Sequence, residues 1–83
     1  MSTVQVEVPD EALISLKTDA ESFAEELPLL AAVKLFELGR LSSGRAAELA
    51  GIPRVAFLVA LGRYGVSPFQ LTAEELHQDV LNA

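Results

Sequence analysis

The chain opens with the run TVQVEV, in which polar and apolar positions alternate and Val4, Val6 and Val8 fall on one face. β-Branched residues at period two predict a half-buried strand, and Pro9 ends it. A lone strand needs a partner for its backbone groups. It is expected to pair with its own copy in a second chain or with another extended stretch. The period then changes. Asp10 and Glu11 open a short helix to about Lys17, with Leu13, Ile14 and Leu16 as its apolar residues; acids in the first turn suit the positive end of a helix dipole. Thr18 or Asp19 caps a longer helix toward Leu38, with Glu21 in its first turn. Between positions 29 and 38 only Lys34 and Glu37 are polar, the composition of a helix covered on nearly every side. Pro28 sits inside the pattern and predicts a kink, or a break into two helices.

Gly39 ends this helix, and Ser42 or Ser43 caps the next, from Gly44 to about Ala50. Gly51 supplies a turn, Ile52 an inward plug, and Pro53 starts a following helix that ends near Gly62 or Gly65. This is the grammar of a helix-turn-helix. Ala47 is small where the two helices cross. Phe57 and Leu61 face back onto the first helix, and Ala46 and Leu49 complete the small core. An extended stretch over 66–71 follows. Thr72 and Glu75 then form a capping box that opens a last helix to about Leu81.

The expected fold is mainly α: a short N-terminal β-strand followed by a small helical bundle containing a helix-turn-helix, as an intertwined homodimer. Residues 1–83 make one domain. Its parts are strand plus short helix (1–18), apolar helix with a proline kink (19–39), helix-turn-helix (42–65), and extended stretch plus C-terminal helix (66–83).

The second helix of such a unit usually enters the major groove of DNA. Its outer face would here carry Arg54, Ala56, Val59, Ala60 and Arg63. Reading base edges needs Arg, Lys, Asn, Gln or acidic side chains, and the middle of this helix has none. Arg40, Arg45 and Arg63 could touch phosphates and Arg54 the groove, which makes these four the DNA-binding candidates. The other reading is that Val59 and its apolar neighbours pack against another chain.

Composition sharpens that alternative. Of 83 residues 51% are apolar, more than so short a chain is expected to hide inside itself. A homodimer follows, with Val4, Val6, Val8, Leu30, Val33 and Phe36 as its interface candidates. The net charge of −6 argues against indiscriminate nucleic-acid binding, but it is unevenly spread. Positions 1–33 carry seven acids against Lys17 alone. Positions 34–63 carry Lys34, Arg40, Arg45, Arg54 and Arg63 against Glu37 and Glu48, and positions 64–83 only Glu74, Glu75 and Asp79. Only the middle can face phosphates. With no cysteine, no signal-like start and no apolar run near the roughly 20 residues of a membrane span, a cytoplasmic protein without membrane contact is expected.

No enzyme, cofactor or metal is expected either. His77 is the only histidine, so a metal there would depend on carboxylates such as Glu74 and Asp79. Ser42 and Ser43 have no base at hand. Glu25–Glu26 and Glu74–Glu75 are sequence neighbours that point to different sides of a helix, so neither is an acid/base pair.

The segment LAAVKLFELGRLSSGRAAELAGIPRVAFLVALGRYGV resembles the core of uncharacterised protein family number 0175, small prokaryotic proteins regarded as antitoxins of type II toxin–antitoxin pairs. The resemblance rests on Lys34, Phe36, Gly39, Arg40, Leu41, Ser42, on the run Gly44 to Gly51, and on Phe57 and Leu61. It implies a DNA-associated antitoxin that neutralises a toxin encoded beside it, often a PIN-domain ribonuclease, and that represses its own operon by binding operator DNA. The chain departs from the family pattern at Pro28, where a helix former is usual, and at Ala56 and Val59, where polar or acidic residues are usual.

Overall fold

The computed structural model describes residues 1–68 of the chain. Four helices follow one another: α1 Asp10–Ser15, α2 Ala20–Glu37, α3 Ser43–Ala50 and α4 Arg54–Arg63. The mainly α class holds. The N-terminal β-strand does not: residues 1–9 have no regular secondary structure, and no strand occurs among the described residues. The physical reason is the one that makes any single strand precarious, the lack of a ladder partner. Among the described residues, no backbone hydrogen bond ties residues 1–8 to another segment. Val4 and Val6 remain 80% and 60% exposed.

Each helix ends where a backbone device stops it. In α2 the Asp19 carboxylate accepts the Ser22 backbone N–H at 2.7 Å and the Ser22 hydroxyl at 3.1 Å. These bonds hold the Asp19 carboxyl below its usual range, the backbone bond being the larger cause. At the other end Gly39 turns left-handed (φ 75°), and the Arg40 N–H returns to the Leu35 carbonyl at 2.8 Å. That double closure of the last turn is a Schellman motif. It recurs after α1, where the left-handed residue is Lys17 (φ 56°) and the Thr18 N–H reaches the Leu13 carbonyl.

Pro28 does not divide α2, which is one continuous element of 18 residues with the proline inside. The lost backbone bond frees only the carbonyl of Ala24, which sits on an exposed turn where water can serve it.

The core gathers at the C-terminal half of α2. Ala32, Val33 and Phe36 pack with Ala46 and Ala47 of α3, Phe57 and Leu61 of α4, and Val66 beyond it. Phe36 and Phe57 meet edge to face, with centroids 5.8 Å apart at 84°. This arrangement contributes roughly 0.5–1.5 kcal/mol beyond area burial. Two assignments of side change. Leu49 is 46% exposed rather than buried, and Ala60 is 6% exposed, inside rather than on the outer face of α4. The extended stretch over 66–71 begins at the buried Val66. Its residues from 69 onward, the Thr72–Glu75 capping box, the last helix and His77 lie outside the described residues.

Candidate nucleic-acid and partner surface

α3 and α4 form the helix-turn-helix that the spacing of Ser42, Gly51 and Pro53 predicts. The Ser42 hydroxyl caps α3 by accepting the Arg45 backbone N–H at 3.2 Å. Gly51 turns left-handed at φ 73°, and the Ile52 N–H bonds back to the Ala47 carbonyl at 3.1 Å. Ile52 is thereby folded in against the core, half-buried. A Cβ at Gly51 would meet nothing within 4 Å. Glycine is required there by its backbone angle, not by crowding. Ala47 at 3% exposure lets the helices approach, and Phe57 is fully buried behind it.

The four candidate arginines divide. Arg54 directs its Nε to the hydroxyl of Ser43, 2.9 Å away, and Ser43 is fully buried. It ties the N-terminus of α4 to the N-terminus of α3. Arg45 pairs with Glu48 at 3.1 Å, both side chains more than 70% exposed, so the pair is weakly held. Arg40, between α2 and α3, and Arg63, in the last turn of α4, are exposed. Neither makes an ion pair among the described residues.

Between those arginines the outer face of α4 is apolar: Val55 is 74% and Val59 62% exposed, and Ala56 is exposed beside them. Sequence reasoning missed Val55 and misplaced Ala60. Anchoring the helical phase on Phe57 and Leu61 would have found both, because Ala60 lies three residues after Phe57 and Val55 four before Val59.

The expected interface residues also scatter. Val33 and Phe36 belong to the core of their own chain, and Leu30 is half-buried. Val4, Val6 and Val8 still share a site without a strand: all three line a cleft of about 360 Å³ whose other walls include Leu13 of α1 and Phe23 and Leu27 of α2. Among the described residues, no helix is long and apolar enough to cross a membrane, and no cluster of acids and histidines could hold a metal.

A bihelical corner on the end of a longer helix, with a basic rim and an apolar outer face, defines a small helix-turn-helix protein. The chain belongs to the Uncharacterised protein family UPF0175, whose model matches residues 1–83. Comparison with curated proteins gives no match, and comparison with solved structures gives none.

Proposed function

We propose that the chain is an antitoxin-type regulator: a cytoplasmic homodimer that captures a partner toxin and contacts the DNA of its own operon. The observation that carries the proposal is the complete helix-turn-helix of α3 and α4, bordered by exposed Arg40, Arg45 and Arg63. Backbone phosphates are what such arginines suit, since they position a protein on a duplex without reading its sequence. The acidic first third of the chain suits a basic toxin, such as a PIN-domain ribonuclease.

A gel shift with the chain's own promoter, at low salt and with or without the neighbouring gene product, tests the DNA half. Retardation that fades as salt rises is the expected result; no retardation under either condition removes that half. Co-purification with the neighbouring gene product tests the other half.

One observation favours a second reading, a protein-interaction module that does not bind DNA. Val55 and Val59 occupy the positions where a recognition helix would carry base-reading side chains. A chain that captures its partner yet never retards DNA would be that module.

A further inference from the structure

Two apolar surfaces lie toward opposite ends of α2. Its first half helps to form the cleft, with Val4, Val6, Leu13, Phe23 and Leu27 among the walls. Its second half supports the core on which α4 packs. Phe23 and Phe36 are thirteen residues apart, so roughly 20 Å of helix axis separates the two regions. On α4, Val55 and Val59 stand outward one turn apart, with about 6 Å between their Cβ atoms.

The two surfaces carry opposite charge. Asp10 is in the wall of the cleft, and Glu7, Glu11, Glu21 and Glu25 are exposed on the segments that build it. From Arg54 to Arg63, α4 holds no acid and ends in an exposed arginine. Two α4 faces pressed together would set like charges side by side and leave both clefts open. An α4 face against the cleft pairs opposite charges and covers apolar surface on both sides.

We propose that two copies of this chain dock reciprocally, the Val55–Val59 face of each seated in the Val4–Leu27 cleft of the other. The contact is two-fold and closed: each copy supplies one helix and one cleft, so none is left over to propagate a filament. The inference rests on the homodimer proposed above and specifies its faces. It also withdraws the middle of α4 from the major groove, which leaves phosphate contact to Arg40 and Arg45.

Sedimentation of the full chain tests it. Wild type sediments as a dimer. Val59→Glu, on the helix, and Val6→Glu, in the cleft, each weaken dimerisation roughly tenfold or more, as an unpaired carboxylate in an apolar contact requires. Both positions are exposed, and unchanged circular dichroism checks that the fold survives. An equimolar mixture of the two variants regains one of the two contacts, the intact helix of one in the intact cleft of the other, while the second contact holds both carboxylates. The mixture therefore associates more tightly than either variant alone and less tightly than wild type. In Arg63→Lys, a zero-length carbodiimide reagent links the introduced amine to an acid of the cleft rim across chains. A monomeric wild type overturns the proposal, as does a dimer indifferent to Val6→Glu, which would be joined helix to helix. A monomer that still retards DNA sinks this inference and spares the DNA half of the regulator reading; a reciprocal dimer that retards none does the reverse.

Discussion

Lys17 holds the left-handed position that ends α1, at φ 56°, where the chain elsewhere places Gly39, Gly51 and Gly65. A side chain in that conformation is strained by contact between its Cβ and the following carbonyl. Lys17→Gly is therefore expected to stabilise the fold by about 0.5–1 kcal/mol, read as a higher midpoint in urea. Gly51→Ala should cost a similar amount, about 1 kcal/mol of backbone strain, with no steric addition because the space around the missing Cβ is open. A much larger loss would mean that the turn is crowded after all. Asp19 gives a test in pH. Its carboxylate is lowered chiefly by the Ser22 backbone N–H, so its folded value lies below its unfolded one. Its contribution is then complete above the ordinary aspartate range and is lost as pH falls through that range and beyond. Asp19→Asn keeps a capping oxygen and should flatten this part of the acid-denaturation curve. An unchanged curve would show that the cap contributes nothing there.

Among the elements, α2 carries the clearest unforced cost. An interior proline removes one backbone bond and crowds the preceding turn, a penalty of up to about 3 kcal/mol, yet α2 runs through Pro28 unbroken. Pro28→Ala should raise the thermal midpoint; a fall would assign Pro28 a packing role at the cleft it helps to line. The same element shows what local pattern reveals and what it does not. Ser42, Gly51 and Pro53 act through bonds within a few residues, so the helix-turn-helix is legible from their spacing. Val4, Val6 and Val8 alternate as a strand should, but a strand exists only through a distant ladder partner, which no local pattern supplies. The apolar run from Leu29 to Leu38 suggests burial by a second chain. One side of it, Val33 and Phe36, is instead covered by α3 and α4. Which face of an all-apolar helix meets its own chain is decided by tertiary packing. The phase of α4 at Ala60 is by contrast a local matter, set by its spacing from Phe57 and Leu61, whereas the role of Arg54 is hidden because Ser43 lies eleven residues away.

At the scale of the whole molecule, charge decides what can approach which side. The chain is acidic overall at −6, so any duplex must meet it through the basic middle, and long-range repulsion from the first third should make binding weak at physiological ionic strength. Arg40 stands exposed in the α2–α3 connection and Arg45 is only loosely paired with Glu48. Each phosphate neutralised releases condensed counterions and adds about 0.9 to the slope of log affinity against log salt. Arg40→Ala should therefore lower affinity alike for operator and unrelated duplexes and flatten that slope by about 1 for each phosphate it no longer neutralises. Glu48→Gln should act the other way, freeing Arg45 and strengthening binding at low salt. Fluorescence anisotropy over a salt series separates the outcomes. If Arg40→Ala changes affinity for the operator alone, Arg40 reads sequence or shape and is more than a phosphate clamp. If neither variant moves the slope, the basic rim does not face DNA, and the positive middle of the chain serves its acidic ends in a second copy.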